Sequence, residues 1–174
     1  MRPSICSILS VLSVAAICAA RANAAQAEPA PAASAVVHLA PDFSIPGTAG
    51  KPRTLRSLHG QSVVLLIAKS ARTGALKKQV KYLQELFEQL ASRETIFAVA
   101  IREGDATVQS NIPIIIVNNG PAVADAYGIK RDFGIAIIGR DGNIDYQTDK
   151  VLTPQRVRDV IQNSFTVQAS LRRK

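Results

Sequence analysis

The chain has 174 residues, of which 47% are apolar and 20% are charged. This is enough apolar material for one packed domain, and it excludes a disordered chain. The formal net charge is +8, but the basic residues are scattered and aromatic residues make up 5% of the chain. The pattern indicates a solvated surface and argues against a nucleic-acid-binding protein.

The first 24 residues have the features of a cleaved secretory signal. Arg2 supplies a positive charge, residues 5–20 form an apolar run, and Ala22-Asn23-Ala24 places small residues around a cleavage site. A retained membrane anchor is the alternative, but this run is shorter and richer in Ala and Ser than a span requires. We therefore expect an exported protein, periplasmic or extracellular, with no membrane span after cleavage.

The two cysteines, Cys6 and Cys18, both fall inside this signal. The chain that remains after cleavage therefore forms no disulfide and carries no thiolate. Its imidazoles are His38 and His59, and the sequence has no Cys/His cluster with metal-ligand spacing. We expect no metal site and no cofactor.

The rest of the chain divides into three parts. Residues 25–39 are rich in Ala and Pro and follow neither the helical nor the strand period, which is typical of a spacer. Residues 40–166 contain the predicted elements and form one domain. Residues 167–174 form a basic tail that ends in Arg172-Arg173-Lys174.

The first half of the domain predicts a strand followed by a long helix. Gly50-Lys51-Pro52 predicts a turn between two short extended pieces, and residues 55–60 predict one helical turn. Residues 63–68 form an apolar run typical of a strand buried on both faces. Thr73 is the expected N-cap of the following helix. The inward stripe of this helix comprises Leu76, Val80, Leu83, Leu86, Phe87 and Leu90.

The second half predicts four strands and two helices. Strands are expected at 95–101, 112–117, 135–138 and 144–148, and Asp141-Gly142 is a hairpin signal between the last two. A short helix at 122–127 ends at Gly128. The closing helix begins at Thr153-Pro154. Its inward residues are Val157, Val160, Ile161 and Phe165. Parallel strands followed by a hairpin predict a mixed α/β sheet with helices on both faces.

Three segments resemble one known family. They are APDFSIPGTAGKPRTLRSLHGQSVVLLIA (40–68), PAVADAYGIKRDFGIAIIGRDGNI (121–144) and LTPQRVRDVI (152–161). They are similar to the redoxin group of the thioredoxin superfamily, which contains the alkyl hydroperoxide reductase/thiol-specific antioxidant peroxiredoxins and the envelope thiol:disulfide oxidoreductases. The resemblance implies a thioredoxin-like fold with a mixed central sheet flanked by helices. The connection REGDATVQSN (102–111) is shorter than usual in that family, so we expect one connecting helix to be shortened or missing.

The resemblance implies where the family's functional positions lie, and each position departs from the pattern. The C-x-x-C of the oxidoreductases falls on Thr73-Gly74-Ala75-Leu76, with Thr73 in place of the attacking cysteine. The cis-proline of thioredoxins, or the peroxide-orienting arginine of many peroxiredoxins, falls on Phe133, and Arg131 is the alternative if the register differs. The peroxiredoxin pattern P-x-x-x-[TS]-x-x-C does not occur in residues 63–78. We therefore interpret the chain as a degenerate member with no catalytic residue at these positions.

The start of the long helix is a candidate anion site. Free N–H groups and the positive end of the helix dipole favour anions, and Lys69, Arg72 and Lys77 lie on either side of Thr73. The alternative is that these long side chains extend into water at a small electrostatic cost.

Three hypotheses follow for function. The first is a non-catalytic binding or scaffold module that contacts another envelope protein through the former active-site face. The second is the peroxidase or thiol:disulfide oxidoreductase activity that the resemblance implies. The third is a small-anion binder at the helix start. The first accounts for both the intact framework and the missing catalytic groups, and we therefore expect no enzymatic activity from the mature chain.

Overall fold

The computed structural model describes residues 38–47, 50–91 and 94–164. The predicted signal, nearly all of the predicted spacer and the predicted tail lie outside these ranges, as does Phe165. The predictions made for those segments therefore remain predictions.

A five-stranded sheet forms the centre of the domain. A separate hairpin of β1 (Ser44–Ile45) and β2 (Arg53–Thr54) comes first in the chain. The strands of the sheet are β3 (Ser62–Ala68), β4 (Thr95–Ile101), β5 (Ile115–Ile116), β6 (Phe133–Ile138) and β7 (Ile144–Thr148). The strand order is β5-β4-β3-β6-β7. Strands β3, β4 and β5 run parallel, whereas β6 is antiparallel to β3 and β7 is antiparallel to β6. The predicted mixed sheet is confirmed.

Each face of the sheet has its own apolar core. Side chains of β3 alternate between the two cores, with Val64 and Leu66 on one face and Val63 and Leu65 on the other. The first face is covered by α1 (Gly74–Ala91) and α3 (Pro154–Gln162). The second is covered by α2 (Gly120–Ala126), the hairpin of β1 (Ser44–Ile45) and β2 (Arg53–Thr54), and a 3-10 helix (Leu55–Leu58).

The predicted strand at 112–117 is shorter than expected. It is reduced to the two residues of β5, which pair with Ala98 and Val99 of β4. Pro113 lies at the start of the predicted segment and has no N–H to donate to a neighbouring strand, so a regular ladder cannot begin there. Strand β6 is longer than expected, because it begins at Phe133, two residues before the predicted start of the strand at 135–138.

The connection between β4 and β5, residues 102–114, contains no helix; we call it the crossover segment. Neighbouring parallel strands are usually joined through a helix, and right-handed crossovers place this connection on the same face as α1. Ala106, Val108 and Ile112 indeed pack into the core that α1 covers. The predicted loss of one connecting helix is confirmed.

The first two family-like segments, 40–68 and 121–144, meet on the opposite face of the sheet. The hydroxyl of Tyr127 donates a 3.0 Å hydrogen bond to the carbonyl of Pro41, and its ring lies 6.4 Å from that of Phe43. Burial, followed by the charge of Asp42, raises the pKa of Tyr127 above its ordinary value. Gly128 adopts a φ of 65° directly after Tyr127, the C-cap of α2, where glycine is favoured. These motif residues therefore serve the framework.

Candidate functional site

The candidate residues lie at the edge of the sheet where the parallel strands end, which we call the carboxyl edge. Ala68 at the end of β3 pairs with Ile101 on one side and Phe133 on the other. The N–H of Lys69 donates to the backbone carbonyl of Asp132 at 2.8 Å, and the N–H of Glu103 donates to the backbone carbonyl of Lys69 at 2.8 Å. The backbone that leaves the strands is therefore fixed by hydrogen bonds on both sides.

Thr73 closes the turn between β3 and α1. Its hydroxyl oxygen accepts a hydrogen bond from Ser70 N–H at 3.3 Å, while its own N–H donates to Ser70 O at 3.1 Å. Its carbonyl accepts from Lys77 N–H at 3.1 Å, which begins the helical pattern. The hydroxyl thus stabilises the turn. To act as a nucleophile it would need a general base as its hydrogen-bond partner, whereas its partner here is a backbone N–H.

The other degenerate positions separate into core and surface. Leu76 is fully buried and Phe133 is 3% exposed, and both belong to the core beneath α1. Ala75 is half-buried, whereas Gly74 is exposed and has open space where a Cβ would lie. A partner can therefore reach Thr73 and Gly74 but cannot reach Leu76 or Phe133.

The candidate anion residues are not gathered in one cavity. Lys69, Arg72 and Lys77 are exposed, and the first turn of α1 has no acidic residue. Arg72 and Lys77 line a groove of about 860 Å³ together with Leu76, but Lys69 and Thr73 do not. The anion hypothesis remains a prediction, with Arg72 and Lys77 as the two candidates that share a groove.

Two arginines near the carboxyl edge are held by the protein itself. Arg102 follows β4, and its Nη1 donates to the carbonyls of Ile129 and Lys130 at 3.4 Å each. Its Nε is buried and has no hydrogen-bond partner among the described residues. Arg131 forms a 2.8 Å ion pair with Asp149, the residue that follows β7, so its guanidinium already has a carboxylate partner. Sequence reasoning missed Arg102, although a charged residue directly after a buried strand was the available signal.

The described ranges contain no group of three or more His, Cys, Asp or Glu side chains that could hold a metal ion. No helix in this part of the chain combines the length and apolar composition that crossing a membrane requires.

The family model described as AhpC/TSA matches residues 36–147. The chain belongs to the AhpC/TSA family. The expected redoxin resemblance is thereby confirmed. A search of curated proteins finds no match.

Solved structures show which folds the AhpC/TSA chain shares. A protein assigned as the thiol:disulfide interchange protein DsbE from Chlorobium tepidum has a TM-score of 0.59 at 16% identity, over 71% of this chain and 93% of that one. Peroxidoxin BcpB from Mycobacterium tuberculosis has a TM-score of 0.55 at 18% identity, over 78% and 95%. The exposed lipoprotein thioredoxin Etrx1 from Streptococcus pneumoniae has a TM-score of 0.51 at 17% identity, over 69% and 98%. At these identities the likeness establishes a thioredoxin-like fold.

Proposed function

We propose that this AhpC/TSA-family chain is an exported protein that binds another envelope protein and performs no thiol chemistry. One observation carries the proposal. At the turn between β3 and α1, where the resemblance implies a cysteine, the chain has Thr73, whose hydroxyl accepts a hydrogen bond from Ser70 N–H. The sequence has no cysteine after Cys18.

The proposed binding surface is the exposed part of the same turn. Lys69, Arg72 and Gly74 are exposed, and Ser70 and Thr73 are half-buried. The backbone hydrogen bonds from Lys69 to Asp132 and from Thr73 to Ser70 hold this loop in one conformation. A preorganised loop loses little conformational entropy on binding, which favours recognition of a protein partner.

Export is supported by two observations of different kinds. The first 24 residues have the charge, apolar run and small residues of a secretory signal. One structural neighbour is described as an exposed lipoprotein thioredoxin. Fractionation of the native cells, with the N-terminal residue of the mature protein determined by mass spectrometry, tests this part. A mature chain that begins at residue 25 supports it, and a cytoplasmic chain that keeps residues 1–24 contradicts it.

Oxidoreductase activity is the alternative, and the family assignment itself favours it. It would require Cys6 or Cys18, because the chain has no other thiol. The test compares peroxide consumption and disulfide reduction by the full chain and by its Cys6→Ser/Cys18→Ser variant. Background rates for both proteins support the proposal. Activity that is lost with the two cysteines establishes the alternative, and activity that survives without any thiol refutes our account of the site.

Binding at the turn is tested by site-specific photo-crosslinking in native envelope extract. A photoreactive residue is placed at Thr73, and the matched control carries it at exposed Glu88, near the other end of α1. We expect one reproducible adduct with another envelope protein from position 73 and not from position 88. Equal crosslinking from both positions would count against the turn as a binding surface.

A further inference from the structure

Residues 105–110 of the crossover segment have the backbone of a strand but no neighbouring strand; we call them the extended stretch. They contain no helix, turn or bend. Exposed and half-buried side chains alternate along them, with Asp105, Thr107 and Gln109 exposed and Ala106, Val108 and Ser110 half-buried. Ala106 and Val108 pack against the core that α1 covers. A period of two with one face on the core is typical of a β-strand.

One side of the extended stretch has unpaired backbone groups. The N–H and C=O groups of Ala106 and Val108 have no hydrogen-bond partner among the described residues. The N–H of Thr107, between them, donates to Asp105 Oδ1 at 3.1 Å. Because backbone groups of successive residues in a strand point to opposite sides, the free groups of Ala106 and Val108 share one side. That side offers donors and acceptors at regular spacing, as the edge strand of a sheet does.

A groove beside the extended stretch has room for another strand. It is the groove of about 860 Å³ described above, and we call it the α1 groove. Residues of α1 from Leu76 to Gln84 line one wall, and Thr107 and Val108 belong to the opposite wall. Eight steps along a helix span about 12 Å, and about four residues of an extended chain cover the same length. The α1 groove is therefore long enough for a short extended peptide.

We propose that the envelope partner inserts an extended segment into the α1 groove and pairs it, as an added strand, with the extended stretch. The identity of the partner rests on the proposed function, because it is the protein proposed to bind at the turn of Thr73. The groove is continuous with that turn, since Ser70 and Arg72 belong to both. An added strand supplies both donors and acceptors from its main chain. A small anion could accept from the free N–H groups but would leave the carbonyls of Ala106 and Val108 unpaired.

The extended stretch also specifies the side chains of the inserted segment. Side chains of an added strand alternate between the two faces in the same way as those of its neighbour. One set contacts Ala106 and Val108, which are half-buried in the chain alone, so apolar residues there gain by further burial. The other set lies beside exposed Asp105 and Thr107 and remains in contact with water. The inserted segment should therefore alternate apolar and polar residues that favour strands, such as valine and threonine.

A defined peptide tests the pairing on the purified protein without the partner. The probe is acetyl-Thr-Val-Thr-Val-Thr-amide, and its control is the same peptide with every amide nitrogen methylated, which keeps the side chains and removes the N–H donors. Nuclear magnetic resonance follows the backbone amides of the extended stretch during titration. We expect saturable shifts at Ala106 and Val108, and hydrogen exchange of these two amides slowed about tenfold or more in the complex. The methylated peptide should produce neither effect.

Two neighbouring proline substitutions distinguish the two sides of the extended stretch. Val108→Pro removes an N–H on the free side, whereas Gln109→Pro removes one on the opposite side, and both positions have the extended backbone that proline tolerates. Val108→Pro should weaken binding of the probe peptide about fivefold or more, and Gln109→Pro should change it by less than about twofold. Circular dichroism and thermal unfolding verify that both variants are folded, and the titration of the parent chain is decisive if one of them is not.

Several results would overturn the added strand. They are the absence of saturable shifts, equal shifts with the methylated peptide, and equal effects of the two prolines. Slow exchange of Ala106 and Val108 without any peptide also overturns it: dependence on protein concentration would identify a second copy as the occupant, and independence would identify residues of the same chain. Failure of the peptide with a specific adduct from position 73 refutes the added strand and leaves the proposed function standing. Peptide pairing without that adduct supports the added strand and refutes binding at the turn.

Discussion

The side-chain amide of Gln79 makes both backbone hydrogen bonds of Leu152. Its Nε2 donates to Leu152 O at 3.2 Å, and its Oε1 accepts from Leu152 N at 2.7 Å. Gln79 is 0% exposed and Leu152 is 7% exposed, so water cannot substitute for either bond. The pair joins α1 to the loop before α3 and thereby fixes the helix that carries Thr73 at its start.

The first prediction concerns this clamp. Gln79→Leu fills a similar volume but leaves the buried N–H and C=O of Leu152 unpaired, at a cost of about 1–3 kcal/mol for each group. We expect the free energy of unfolding to fall by about 2–4 kcal/mol in chemical denaturation. Gln155→Leu, on the exposed side of α3, is the control and should change it by less than about 0.5 kcal/mol. Equal effects of the two substitutions would show that the clamp contributes nothing.

The second prediction concerns the contact between α2 and β4. A Cβ at Gly120 would overlap the backbone carbonyl of Ile101, and backbone atoms cannot move aside as a flexible side chain can. Gly120→Ala should therefore destabilise the domain by about 1–3 kcal/mol. Gly74→Ala has open space at the same atom and should be neutral or stabilise by up to about 1 kcal/mol. Thermal unfolding of the pair measures the difference, and a harmless Gly120→Ala would contradict the packing described.

The third prediction rests on two carboxylates that flank Gly139. Oxygens of Asp141 and Asp145 both lie within 2.8 Å of the place where a Cβ of Gly139 would be. Asp141 accepts hydrogen bonds from the N–H and the amide of Asn143 at 3.2 and 2.8 Å. Asp145 Oδ2 is buried and accepts none from the described residues. Burial, followed by the charge of Asp141, raises the pKa of Asp145 from 3.8 to about 6.

This pKa shift predicts an unusual pH dependence. Above pH 6, Asp145 is charged in the folded state at a cost. Between about pH 6 and 4, the folded state binds a proton that the unfolded state does not, so stability from this group rises as pH falls. Asp145→Asn removes the cost and should raise the melting temperature more at pH 7.5 than at about pH 4.5. Asp141→Asn should lower the pKa of Asp145. In that background, the stabilisation by Asp145→Asn should differ less between pH 7.5 and about pH 4.5. A stabilisation by Asp145→Asn that is the same at both pH values would contradict the shift.

The fold was largely predictable because its signals are local. The limits of β4 and β7 match the predicted 95–101 and 144–148, and α1 begins directly after Thr73 as expected. Alternating and helical apolar periods report burial without knowledge of the partner surface. The predicted strand at 112–117 was too long because the prediction followed the apolar run and disregarded Pro113. Proline has no N–H to donate, so it interrupts the hydrogen bonds between strands.

The site was less predictable because it depends on long-range pairs. Gln79 and Leu152 are 73 residues apart, and no local pattern identifies Gln79 as a buried clamp rather than a surface residue. The contacts of Arg102 with Ile129 and Lys130 likewise follow from the sheet order. The groove that Arg72 and Lys77 line likewise depends on the position of the crossover segment beside α1.

The last prediction asks whether the turn at Thr73 still favours a thiolate. We consider Thr73→Cys in a Cys6→Ser/Cys18→Ser background, so that it is the single thiol. A cysteine at a helix N-terminus beside cations has a pKa below the ordinary value of about 8.5, and Lys69 and Arg72 are exposed near this turn. The pH dependence of alkylation should therefore have its midpoint below that of Glu88→Cys, an exposed position near the other end of the same helix. Because both thiols are measured in one fold, identical midpoints would mean that the turn no longer provides the electrostatic environment of a reactive cysteine. A lowered midpoint would mean that the chain lacks the sulfur but retains the field that would activate it.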